Sequence, residues 1–165
     1  MQSMKESCDS WKIFIDGASR GNPGSAGAGV CILKNDIFVF KRGFYLGKKT
    51  NNQAEYLALA LALFYLHKII KKEAIEIRHI TITSDSELMI RQMNGIYKIK
   101  NPELAQIKHF IDCTRKGFSC QFKHVLRAFN TEADAMANLG IDERKKVPLE
   151  FKKQLEPYTN TIMNT

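Results

Sequence analysis

The chain has 165 residues, 44% of them hydrophobic and 25% charged, which excludes a disordered polymer and suits one soluble domain that buries a core without disulfides. With 25 Lys+Arg against 17 Asp+Glu the net charge is +8, which favours anionic partners such as nucleic acid. The four cysteines form no C-x-x-C pair, and the longest apolar run, residues 57–66, is about half of the roughly 20 residues a membrane span needs, so a reduced, cytoplasmic protein with no membrane partner is expected.

Residues 1–10 are polar and carry no apolar signal-peptide core, which predicts a flexible N-terminal tail. Trp11-Lys12-Ile13-Phe14-Ile15-Asp16-Gly17 reads as a buried strand closed by a carboxylate, which is costly there unless something compensates it. Residues 17–25, rich in Gly, Asn, Pro and Ser, predict a loop. A strand resumes at 26–33, Lys34-Asn35-Asp36 reads as a hairpin turn, and a third strand runs from Ile37 to Leu46. Gly24 to Gly29 contains no G-x-x-x-x-G-K-[ST], and its small side chains fit a strand better than a phosphate cradle.

A polar loop, 47–51, leads into a helix of about five turns, on which Ala54, Leu57, Ala58, Leu61, Ala62 and Tyr65 recur at helical spacing. Ile80 to Ser84 is a short β-branched strand, and Asp85-Ser86 supplies a cap for a helix from Glu87 to Met93 that Gly95 ends. Pro102 opens a third helix, to Arg115, and residues 119–125 form the last strand. Thr131-Glu132-Ala133-Asp134 has capping-box spacing and opens an alanine-rich helix to Leu139. The order is β-β-β-α-β-α-α-β-α, an α/β fold with a mixed sheet flanked by helices. Residues 11–141 make one domain, and 142–165 read as a charged C-terminal tail.

Four acids stand out: Asp16 and Asp85 close strand patterns, and Glu55 and Asp134 fall in first turns of helices. Taken singly, Glu55 is also accounted for by a helix dipole, Asp134 by its capping box and Asp85 by a helix cap. Asp16 has no such local explanation. Brought together at one sheet edge, four carboxylates repel unless cations bind between them. Oxygen-only ligands select hard cations such as Mg²⁺, whose usual companions are water and substrate phosphate.

The motifs Phe14-Ile15-Asp16-Gly17-Ala18-Ser19-Arg20-Gly21-Asn22-Pro23-Gly24, Thr50-Asn51-Asn52-Gln53-Ala54-Glu55, Thr83-Ser84-Asp85-Ser86 and Asn130-Thr131-Glu132-Ala133-Asp134 together resemble those of the type-one ribonuclease H family, in its order and over roughly residues 12–141. The resemblance implies a ribonuclease H-like five-stranded mixed sheet and hydrolysis of the RNA strand of RNA·DNA hybrids, leaving 5′-phosphate and 3′-hydroxyl ends. It implies that Asp16, Glu55, Asp85 and Asp134 are the catalytic, metal-binding acids for two Mg²⁺ ions, with Mn²⁺ as a substitute. Ser19, Arg20, Asn22, Asn51 and Gln53 match substrate-binding positions along the hybrid's minor groove, although plain turn chemistry also explains such residues. No obligate protein partner is evident, and a monomer is expected.

Two departures qualify the resemblance. Bacterial members carry a basic, Trp-rich insertion after the second helix, whereas residues 93–102 here are a short connection with Lys98 and Lys100 as a reduced substitute. Arg127 stands where many members have a loop histidine and implies a phosphate contact without proton exchange, while His124, in the strand before it, is assigned to packing. The other lysines and arginines, Lys41, Arg42, Lys48, Lys49, Arg115, Lys116 and Lys123 among them, read mostly as solvated surface. Two rival functions share these features: a non-catalytic nucleic-acid-binding module on the same fold, and an integrase-like DNA nuclease.

Overall fold

A computed structural model describes residues 8–159, so the expectations for residues 1–7 and 160–165 lie outside the described residues. Five strands, β1 (Trp11–Gly21), β2 (Gly24–Lys34), β3 (Ile37–Lys49), β4 (His79–Ser84) and β5 (Ser119–His124), form one sheet in the order β3-β2-β1-β4-β5. The β1/β2 and β2/β3 pairs are antiparallel, and β1/β4 and β4/β5 are parallel. The helices are α1 (Asn51–Glu73), α2 (Glu87–Met93), α3 (Pro102–Thr114), α4 (Thr131–Asp142) and α5 (Leu149–Leu155). Among the described residues no helix is long and apolar enough to cross a membrane.

Several boundaries differ from the sequence expectation, each for a local reason. The first strand does not stop at Asp16: the hairpin ladder runs on through Arg20↔Ser25 and Gly21↔Gly24, and only Asn22 and Pro23, joined by a cis peptide bond, make the turn. Asp16 therefore lies within a strand. β3 likewise continues to Lys49 instead of ending at Leu46. α1 has 23 residues, more than the five turns expected, because Thr50 caps it with a reciprocal bond pair to Gln53. From Tyr56 to Leu66 α1 is buried all round, so it is a core helix and not a one-sided amphipathic one.

α4 runs past Leu139 to Asp142 because Gly140 does not stop it; a Cβ there would sit 2.5 Å from the Phe44 backbone nitrogen. Gly29 and Gly43 face Ala133 and Met136 just as closely, so α4 lies directly on β2 and β3. The glycine-rich stretch is thus a packing seam, as its small side chains suggest. The segment after Asp142 is not a detached charged tail. Val147, Phe151 and Leu155 are buried in the core, and Phe151 meets Phe64 and Phe110 edge-on. Three hydrophobic positions among many charges were too sparse to read as a helix.

Candidate functional site

Asp16, Glu55 and Asp85 each offer a carboxylate oxygen within 4.8 Å of the others. β1 carries Asp16 on the sheet face opposite Ile13 and Ile15, whose side chains are fully buried. The next residue, Gly17, lets α1 approach: a Cβ there would lie 2.3 Å from the Glu55 amide nitrogen. That contact brings Glu55 beside Asp16, where the Gly17 backbone N–H donates to it. Asp85 follows β4, the parallel neighbour of β1. α2 beyond it is fastened to α1 by the buried bond from the Tyr56 hydroxyl to Gln92 Oε1, 2.7 Å.

The simpler readings of these acids are not realised. Ser86, not Asp85, caps α2 by accepting from the Met89 amide at 3.3 Å. α1 has no acid in its first turn, Glu55 lying just beyond it. Asn130 is the residue preceding α4, and Thr131 with Asp134 forms no capping box. Asp134 stays at the rim, with Oδ1 3.5 Å from Arg127 Nη2 and 3.4 Å from Asn138 Nδ2.

The electrostatics are those of an uncompensated anionic site. Burial, followed by the charge of Asp85 and interactions with Asp134, pushes the Asp16 carboxyl up to about 8. Burial and the charges of Asp16 and Asp85 also push Glu55 well above the usual carboxylate range. Glu55 Oε2 is buried without a hydrogen-bond partner. A hard cation satisfies that orphaned oxygen and the mutual repulsion at once, so this oxygen-only donor set fits a divalent metal.

Sequence reasoning missed Asn130 as a site residue. It is 2% exposed, its Nδ2 donates to Ile15 O at 2.8 Å and to Asp85 Oδ1 at 3.2 Å, and its Oδ1 has no partner. One amide thereby ties the strand of Asp16 to the carboxylate of Asp85. Its position within the last motif was the signal available.

The other predicted residues divide into groups. Asn22 Oδ1 accepts from the Asn51 amide at 3.1 Å, joining the first hairpin to α1. Ser19 donates to Lys49 O at 2.8 Å, and Gln53 both closes the α1 capping box and donates to Glu103. Arg20 pairs with Asp142 at 2.7 Å and donates to Oδ1 of Asn138, the residue that bonds Asp134, at 3.4 Å. Lys49 is not solvated surface; it is buried, which lowers its pKa against the opposing pull of Glu103. His124 shares the strand face of buried Phe122 but is exposed because it is the last residue of β5, which corrects the packing assignment. Lys98 and Lys100 border a cleft of about 490 Å³ together with Asn52, Leu88, Tyr97 and Leu104.

The mixed sheet and the carboxylates gathered across it define a ribonuclease H-like α/β protein. Residues 14–140 match the family model described as Reverse transcriptase-like. Ribonuclease HI of Halobacterium salinarum is 37% identical over 132 residues, 79% of this chain and 63% of that protein. The bifunctional protein Rv2228c of Mycobacterium tuberculosis is 35% identical over 79% of this chain and 35% of its own length. The chain thus spans about a third to two-thirds of the length of the first curated relatives it matches. Among solved structures, LC11-RNase H1 in complex with an RNA/DNA hybrid superposes with a TM-score of 0.76 at 36% identity, covering 81% of this chain and 98% of that one. The N-terminal RNase H domain of Rv2228c gives 0.74 at 32% identity, covering 82% and 95%. The chain belongs to the type 1 ribonuclease H family.

Proposed function

We propose that this chain hydrolyses the RNA strand of RNA·DNA hybrids, leaving 5′-phosphate and 3′-hydroxyl ends, as a cytoplasmic monomer whose catalytic residues lie within 11–141 and whose core α5 completes. The observation that carries the reading is the set of three carboxylates within 4.8 Å, one of which has a buried oxygen without a partner. Asp16, Glu55 and Asp85, with Asp134 beside them, would hold two Mg²⁺ ions, or Mn²⁺ in their place. Such ions activate water and stabilise the leaving oxygen in phosphodiester hydrolysis.

The chain's own residues do the rest. Asp16 and Glu55 would hold the ions as carboxylates, and Asn130 holds Asp85 in place. Arg127 offers a fixed positive charge to a phosphate at the rim. Asn22 and Asn51, joined to each other, face the minor groove with Ser19, Arg20 and Gln53, and discriminate ribose by its 2′-hydroxyl. Both LC11-RNase H1 in its hybrid complex and the net charge of +8 support this choice of substrate.

The test is one assay of labelled RNA·DNA hybrid, duplex RNA and duplex DNA with Mg²⁺, with Mn²⁺ and with chelator. Cleavage confined to the hybrid's RNA strand and abolished by chelator is expected. Equal cutting of duplex DNA would support the integrase-like alternative, and hybrid binding without cutting the non-catalytic one.

A further inference from the structure

The segment joining β5 to α4 has a surface that the carboxylate chemistry does not use. Leu126 and Phe129 are 67% and 71% exposed, and they flank Arg127, whose side chain is 80% exposed. This exposure does not come from a loose loop. Val125 N donates to Ser84 O at 3.0 Å, Phe129 N to Leu126 O at 2.9 Å and Asn130 N to Arg127 O at 3.0 Å. Arg127–Phe129 is therefore a fixed 3-10 turn. It is anchored at one end to the strand that leads to Asp85 and at the other, through Asn130, to the strand that carries Asp16. Phe129 also walls a slot of about 200 Å³ with Phe14, Leu33 and Phe38, and the slot is lined too by Asn130, which bonds Asp85.

Two large apolar side chains held rigidly in water at the rim of a site cost free energy unless something covers them. We infer that Leu126 and Phe129 are substrate-contact residues, packing on the sugar and base faces of the strand whose phosphate lies beside Arg127. The occupant is nucleic acid and not a protein segment, because a cation between apolar faces is the pattern that grips a nucleic-acid strand, and the chain carries +8. The inference rests on the hybrid-cleaving reading proposed above. It assigns to this turn the task of fixing which phosphate reaches the carboxylates.

The test compares the full chain with Leu126→Ala, Phe129→Ala and the double variant, and with Leu149→Ala, a control 66% exposed on α5. In the double variant KM for a labelled hybrid should rise about fivefold or more, the lower end of what losing a base–aromatic contact does, while kcat holds within about twofold. Melting temperature should not fall, the cutting positions on an end-labelled hybrid should shift, and Phe129→Trp should keep the KM of the unsubstituted chain. Leu149→Ala should change none of these. An unaltered KM and cutting pattern in the double variant overturns the inference, as does a fall in kcat at fixed KM. So does an unaltered KM accompanied by loss of a self-association seen in the unsubstituted chain, which would assign the turn to protein contacts. If the unsubstituted chain cuts no hybrid at all, the reading of the reaction itself fails, and this inference with it.

Discussion

A Cβ placed on Gly17 would stand 2.3 Å from the backbone nitrogen of Glu55, so the absence of one side chain sets how closely the helix can bring its carboxylate to Asp16. Gly17→Ala should push the start of α1 off β1. The overpacking should cost about 1–3 kcal/mol of stability, and cleavage should fall further than that loss explains, because Glu55 moves away from its neighbours. Denaturant melts and rates measured well below the melting temperature separate the two effects. Unchanged rates would show that the spacing does not matter to the chemistry.

The raised Asp16 carboxyl predicts the pH dependence of the metal-free protein. Its folded pKa, about 8, lies above the ordinary value of 3.8, so the folded state keeps a proton that the unfolded chain has already lost. Stability without metal should therefore decline as pH rises between those two values, and Glu55 contributes in the same direction. Asp16→Asn should abolish cleavage, flatten this decline and raise the melting temperature near neutral pH, by about 2–4 °C for each kcal/mol relieved in a chain of this size. Adding Mg²⁺ should stabilise the unsubstituted protein more than the variant. A hybrid-cleavage assay reads the loss of activity, calorimetry from pH 5 to 9, with chelator and with Mg²⁺, reads the stability outcomes, and a profile that rises with pH in chelator contradicts the assignment.

The elements from β1 to α4, their order and the mixed sheet were legible because alternation, helical spacing and turn residues agree locally with the fold, whereas α5 was not. Of the four acids the motifs picked out, Asp16, Glu55 and Asp85 converge in the structure. Distance was not legible. Nothing in the local sequence says that α4 lies against Gly29 and Gly43, that α5 closes the core through Phe151, or that Asn130 reaches Ile15 across 115 residues. Local chemistry placed the α2 cap correctly at Asp85-Ser86, where Ser86 fills it, but the Thr131 capping box does not form: Asn130 precedes α4, and its amide bonds Ile15 and Asp85 instead.

Asn130 provides a sharper test of the site than the acids do. Asn130→Ala removes both donations, to Ile15 O and to Asp85, and should cost about 1–3 kcal/mol of stability. It should also raise the Mg²⁺ concentration needed for half-maximal activity, because Asp85 is no longer held. Asn130→Asp should be worse for turnover, since it replaces a donor to Asp85 with another negative charge. Metal titrations followed both by activity and by calorimetric binding distinguish a misplaced ligand from a weakened fold. Equal metal affinity in all three proteins would reduce Asn130 to a packing residue.

Arg127 and His124 make opposite predictions. Arg127 is exposed beside Asp134, where its guanidinium can meet a phosphate. Arg127→Ala should weaken hybrid binding and flatten the dependence of log K on log salt by just under about one unit, while the pH–rate profile keeps its shape. His124 is exposed at the end of β5, so His124→Ala should leave stability almost unchanged, and packing cannot mask its chemistry. If the imidazole carries a proton in turnover, the variant should lose rate and its pH profile should change shape. Hybrid binding across a salt series and rates from pH 5.5 to 9 decide both roles. A hundredfold loss of turnover in His124→Ala, with no effect of Arg127→Ala on binding or salt slope, would transfer the assisting role from the arginine to the histidine.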